Sequence, residues 1–204
     1  MKKKPALPES TRVRQELQRV ERKSRFRRVM RSTIGVIVVA AALAFVNKIT
    51  KSVIQIAEEE KIQEAIALVL PGGYKTQITD FNDPTGIVSR VYQGPNGYAV
   101  EVLPAGFDSA LTMMVGVAPD GTVLDLCVVS HTETAGLGAV AASDGSAGMT
   151  FRQQFVGTSG DVLVKKDGGS IDAITGATVT SRAVCDGVNT AVSCVKALTQ
   201  GGAK

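Results

Sequence analysis

Between Ser32 and Asn47 the chain carries sixteen consecutive residues without a charge, Ser-Thr-Ile-Gly-Val-Ile-Val-Val-Ala-Ala-Ala-Leu-Ala-Phe-Val-Asn. Residues 1–31, just before it, carry twelve Lys/Arg against three Glu. This combination restricts the chain more than any other feature. A membrane-spanning helix needs about 20 apolar residues, and this run is slightly shorter. Arg31 and Lys48 extend its reach, because long cationic side chains run their stems along apolar surface and leave their heads in water. The Lys/Arg bias places the N-terminus in the cytoplasm and everything after Lys48 on the far side. A cleavable signal peptide is the rival, with Ala42-Leu43-Ala44 as the cleavage site. The length of the basic region and the continuation of the apolar run past the alanines count against it. A buried helix of a soluble core is disfavoured by the charge block. In the basic head, Val13, Leu17 and Val20 recur at helical spacing among arginines. That suits an amphipathic helix on anionic lipid, and a solvated basic tail equally.

The net charge of +4 divides into +9 for residues 1–31 and −5 for the remainder. A basic head on an acidic body does not match a nucleic-acid-binding domain, which concentrates cations on a folded face. No nucleic-acid partner is expected.

Beyond the membrane segment, Ile54, Ile62, Ile66, Val69 and Leu70 form an apolar stripe, with Glu58, Glu59, Glu60 and Glu64 on an acidic side. This predicts a helix over 52–70, a stalk or first domain helix, ended by Pro71-Gly72-Gly73. Strand-like runs follow at 87–92, 98–103, 111–117 and 122–129. Gly94-Pro95-Asn96-Gly97 and Pro119-Asp120-Gly121 are turn signals between them. Residues 147–155 read as a short helix and 162–164 as a short strand before the turn Asp167-Gly168-Gly169. The fold class is α+β: an N-terminal single transmembrane helix followed by an antiparallel-sheet domain flanked by helices. The segments are a basic cytoplasmic head (1–31), a transmembrane helix (32–48), a stalk helix (49–70) and an extracytoplasmic domain (71–204).

Two stretches carry candidate chemistry. The first is Asp172-Ala173-Ile174-Thr175-Gly176-Ala177-Thr178-Val179-Thr180-Ser181. Gly176 permits a tight backbone path. Thr180 and Ser181 are N-cap residue types, and Val184, Val188, Val192, Val195 and Leu198 then recur at helical spacing. A helix N-terminus presents free N–H groups and the positive dipole end, which favours an anion such as phosphate. On these grounds alone, a Ser/Thr-rich cap without a ligand is the simpler reading, and Asp172 is simply an acid favoured by the dipole.

The second is Ser130-His131-Thr132-Glu133-Thr134-Ala135-Gly136-Leu137-Gly138, a polar, glycine-broken loop at a strand end, a common place for ligand contacts. It holds His131, the single histidine, so no His-rich metal site is expected.

The pattern Asp-x-x-Thr-Gly-Ala-Thr-x-Thr-Ser resembles the flavinylation motif of the FMN-binding domain family. That family includes the G subunit of the Rnf electron-transport complex and the C subunit of the sodium-translocating NADH:quinone reductase. The resemblance implies that Thr178 carries FMN through a phosphodiester bond. Asp172, Thr175, Gly176, Ala177, Thr180 and Ser181 complete the motif, and a separate flavin transferase that draws on FAD reads it. The second stretch is similar to the family's His-x-Glu-Thr-Pro-Gly-Leu-Gly motif, with Ala135 where proline is usual, which leaves the loop less rigid. It implies that Glu133, Thr134, Gly136 and Leu137 contact the flavin. No catalytic residue is implied in this chain.

The resemblance therefore points to an electron-carrying flavoprotein subunit of an ion-translocating ferredoxin:NAD oxidoreductase in the cell (inner) membrane, working with other membrane subunits and with membrane lipid. The quinone-reductase C subunit, a free-standing extracytoplasmic flavoprotein and a tethered module without redox function stay open, as does Na+ against H+ as the coupling ion. Cys127, Cys185 and Cys194 cannot all pair within one chain. Cys185 and Cys194 lie roughly 13 Å apart along one predicted helix, too far to bridge.

Overall fold

The computed structural model describes residues 57–200, together with residues 30, 40, 42, 43, 45–48 and 50. The chain divides into two compact units, Met1–Ile56 and Ala57–Lys204. In the first, the described residues are helical and exposed. Among the described residues no helix is long and apolar enough to cross a membrane. The head expected at 1–31, apart from Met30, and most of the span expected at 32–48 lie outside the described residues.

The second unit is α+β. Five strands form one antiparallel sheet in chain order: β1 (Thr76–Ile78), β2 (Val88–Gln93), β3 (Tyr98–Val102), β4 (Thr112–Val117) and β5 (Val123–Ser130). The turns read in the sequence make two of the hairpins. Gly94 N–H donates to Gly97 O at 2.9 Å, and Gly121, at φ +91°, donates to Ala118 O at 2.9 Å. Three helices accompany the sheet: α1, described over 57–69, α2 (Ser146–Gln153) and α3 (Thr178–Gln200).

The sheet is covered on both faces, which explains why β4 reads as a continuous apolar run rather than an alternating one. Met113, Val115 and Val117 join one core with Val184, Val188 and Val192 of α3 and with Phe151 and Phe155. Met114 faces the other way and packs with Ile62, Ile66, Val69 and Leu70 of the first helix segment. Each fully buried Val or Leu contributes about 1.5–3 kcal/mol, so the valine stripe of α3 is a principal anchor. On the opposite face α1 comes so close that a Cβ on Gly116 would lie 2.0 Å from Val69 O.

Two local expectations are corrected. The strand expected at 162–164 is a single parallel bridge, Val164 to Ile171, because a 3-10 turn at Lys165–Asp167 and Gly168 at φ +88° end the pairing at once. Strand β1 has no counterpart among the expected strands: it is a three-residue, mostly exposed edge strand with no alternation to betray it. All three cysteines are free, and burial pushes the Cys127, Cys185 and Cys194 thiols up to about 11, 12 and 11.

Candidate functional site

Three segments distant in sequence meet at the N-terminus of α3. The first is the loop after β3. Gly106 N–H donates to Ser109 O at 2.8 Å and Leu111 N–H to Pro104 O at 2.9 Å, closing a tight turn around Phe107. The second is the loop after β5, which turns at Gly136 (φ +76°) into a 3-10 helix, Gly138–Ala142. The third is the approach to α3. There Ala177 N–H donates to Ile174 O at 2.9 Å, Gly176 lies at φ +76°, and Ser181 N–H donates to Ala177 O at 3.0 Å as the first bond of the helix.

Glu133 ties the three together. Its carboxylate is buried, only 7% exposed. Oε1 accepts the N–H of Phe107 at 2.8 Å and, more weakly, that of Asp108 at 3.3 Å. Oε2 accepts the Thr180 hydroxyl at 2.6 Å. Room for the carboxylate comes from two glycines. A Cβ on Gly106 would stand 2.3 Å from Oε1, and one on Gly138 would stand 2.2 Å from Oε2. A buried carboxylate without such partners would be strongly destabilising, and these hydrogen bonds to an ionised acceptor are of the stronger kind.

The helix start corrects the expected capping. Ala177, which has no side-chain oxygen, occupies the N-cap position, and Thr180 and Ser181 lie inside the first turn, fully buried. Local propensity favours Ser and Thr as caps, but here each hydroxyl has another partner. Thr180 is drawn to Glu133, 47 residues away in sequence. Ser181 Oγ donates to Ala177 O at 2.9 Å and accepts the N–H of Ile174 at 3.0 Å. Among the described residues, the N–H groups of Thr178, Val179 and Thr180 therefore have no acceptor, the arrangement that makes a helix N-terminus an anion site.

Beside these N–H groups is a cavity of about 270 Å³. Its lining comes from all three segments: Phe107 from the first, Glu133, Thr134, Leu137 and Gly138 from the second, and residues 176–180 from the third. Of the residues singled out in the sequence, Gly176, Ala177, Thr178 and Thr180 thus meet Glu133, Thr134 and Leu137. Gly176 suits the place twice: its φ favours glycine, and a Cβ would lie 2.9 Å from Leu137 Cδ2. Gly136, Thr175 and Asp172 are exposed and do not line the cavity.

Asp172 pairs with Lys165 Nζ at 2.7 Å on the surface, where such a pair contributes little. Its backbone is held more firmly: Gln154 Oε1 accepts its N–H at 2.7 Å, and Gln154 Nε2 donates to its carbonyl at 3.2 Å. The neighbouring turn is fixed to α3 by Arg182, which binds Asp167 through Nε at 2.6 Å and an Nη at 2.7 Å. That guanidinium holds the Asp167 carboxyl below its usual range.

Among the described residues the hydroxyl of Thr178 has no hydrogen-bond partner. Of the motif's four hydroxyl groups, Thr180 and Ser181 are engaged and buried, Thr175 stands away from the cavity, and Thr178 lines it unengaged.

The FMN-binding domain family matches residues 106–193, which take in every residue that lines the cavity. The G subunit of the proton-translocating ferredoxin:NAD(+) oxidoreductase complex of Clostridium ljungdahlii is 43% identical over 108 residues, covering 51% of this chain and 56% of that protein. The G subunit of the ion-translocating oxidoreductase complex of Methanosarcina acetivorans is 32% identical over 176 residues, covering 78% of this chain and 88% of that protein. The chain belongs to the family of these G subunits. Its Vibrio cholerae relative agrees, a G subunit at 31% identity over 170 residues, covering 75% of this chain and 81% of that protein. The site also includes residues that no motif in the sequence marks. Val179, at an unspecified position of its motif, lines the cavity beside motif residues, and Phe107 comes from a loop with no signal beyond its turn.

Proposed function

We propose that this chain is the electron-carrying flavoprotein subunit of a membrane-bound, ion-translocating ferredoxin:NAD oxidoreductase, with FMN joined through its phosphate to Thr178. The observation that carries the reading is the pairing of an unengaged Thr178 hydroxyl with three free N–H groups at one cavity wall. The N–H groups of 178–180 hold the phosphate, and the dipole of the 23-residue helix α3 favours its charge. Gly176 and Ala177 let it approach the backbone. Thr134 and Leu137 border the flavin. Glu133 acts differently from a simple contact: with both oxygens engaged, it fixes the walls and excludes water from them. Bound flavin supplies the one- and two-electron chemistry; the protein supplies attachment, orientation and tuning.

Attachment requires a flavin transferase. Thr178 Oγ1 attacks the FMN phosphorus of FAD, the bond to the AMP moiety breaks, AMP leaves, and the hydroxyl proton passes to the transferase or solvent. Asp172, with Thr175 and Gly176, gives that enzyme an exposed face to read.

Residues 32–48 span the membrane with the basic head inside, and residues 49–70 lead to the extracytoplasmic domain, which meets the other membrane subunits. The charge step at 31/32 supports this orientation, and protease accessibility tests it. The Clostridium, Methanosarcina and Vibrio relatives are all G subunits, which favours this assignment over a quinone-reductase C subunit. The direct test is Thr178→Ala in cells that also make a flavin transferase: the variant is expected to fold and to lose covalent flavin. A fluorescent Thr178→Ala band in a denaturing gel would refute the site.

A further inference from the structure

Phe107 is 70% exposed, yet its backbone is tied down. Its N–H donates to buried Glu133, its loop is closed by the Gly106–Ser109 and Leu111–Pro104 bonds, and Ser109 Oγ meets Thr132 Oγ1 at 2.6 Å. Residue 106 has no space for a side chain, because the Glu133 carboxylate occupies it. An aromatic side chain thus stands on a tied-down backbone, outside both core clusters.

Single exposed apolar residues are ordinary. Phe107 is not single. Leu137, 42% exposed, and Val179, 44% exposed, line the same cavity from two other segments. Three apolar side chains converging on one cavity mark a binding surface rather than scatter. The polar groups of the lining are the free N–H groups and Thr178 at the helix end and Thr134 on the opposite loop, while the carboxylate of Glu133 and the hydroxyl of Thr180 are already engaged with each other. The occupant that fits is a flat, largely apolar ring system tethered by an anionic group at the α3 end.

We propose that Phe107 is the aromatic wall against which the isoalloxazine ring of FMN packs, with Glu133 as the positioning residue that holds it there. This rests on the attachment of FMN to Thr178. Offset or edge contact between aromatic faces favours the packed ring and shields it from solvent. Removing the Phe107 ring loosens the flavin without detaching it.

The test uses the full chain, loaded with flavin by a co-expressed transferase and purified in detergent. Covalent loading is read first, by mass. Iodide quenching of flavin fluorescence and visible circular dichroism then report how exposed and how ordered the ring is. Phe107→Ala is expected to keep its covalent flavin, with the packed-to-open ratio of the ring falling roughly two- to tenfold, the range of an aromatic contact. Its iodide quenching rises and its visible dichroism weakens. Phe107→Tyr stays near wild type, as does Met149→Ala, an exposed residue that does not line the cavity. If Phe107→Ala does not load, Phe107→Leu, which keeps bulk and loses the aromatic face, is read the same way. Quenching and dichroism unchanged in the loaded variant overturn the proposal. A wild type without covalent flavin overturns the attachment beneath it, and this proposal too.

Discussion

Gly138→Ala isolates the steric logic of the site. The φ of Gly138 lies outside the left-handed region, so alanine is allowed by the backbone and the entire effect comes from the added methyl group. That methyl would lie 2.2 Å from Glu133 Oε2, 2.6 Å from Thr180 Oγ1 and 3.0 Å from Glu133 Cβ. The tip of a free glutamate would swing aside at little cost. This one is 7% exposed and held by Phe107, Asp108 and Thr180, so yielding means breaking hydrogen bonds to a buried charge. Overpacking costs about 1–3 kcal/mol, and losing a hydrogen bond to a charged group about 1.5–3 kcal/mol. The same movement incurs both, so they overlap, and about 2–3 kcal/mol is expected, or roughly 6–10 °C in Tm for a domain of this size. Denaturant unfolding of the full chain in detergent measures it, with Glu133→Ala and the double variant completing a cycle. In the Glu133→Ala background the closest contact is gone and the Thr180 hydroxyl, released from Glu133, can turn away, so Gly138→Ala should lose much of its cost, the 3.0 Å approach to the residue-133 Cβ remaining. An equal cost in both backgrounds, or a negligible cost in the wild type, would refute the reasoning.

Two further outcomes follow from the same structure. Gln154→Ala removes both bonds to the Asp172 backbone; flavin incorporation, followed by in-gel fluorescence, should slow while stability drops by about 1–2 kcal/mol, and an unchanged time course would show that Gln154 does not present the motif. Protease added to spheroplasts should digest the region after Lys48 and spare the basic head; a protected C-terminal domain would reverse the proposed topology.

The sheet was legible because four strands are apolar runs separated by glycine turns, and α3 because its valines recur at helical spacing. β1 was not, since a three-residue exposed edge strand has no periodicity to read. The site was legible in its motifs but not in its construction. Thr180 looks like a cap by every local criterion, and only the fold shows that its hydroxyl is engaged by a carboxylate 47 residues upstream. Phe107 carries no local signal at all; its place depends on where Glu133 sits. Capping rules describe neighbours in sequence, and this site is built from neighbours in space.

The central claim, covalent FMN on Thr178, is tested most directly by mass. Lys166 and Arg182 bound a tryptic fragment that contains Thr175, Thr178, Thr180 and Ser181 together, so fragmentation of one peptide decides among all four. From cells that also make a flavin transferase, that peptide should carry the mass of one FMN less water, located on Thr178. An unmodified peptide, or the added mass on Thr175, Thr180 or Ser181, would contradict the account.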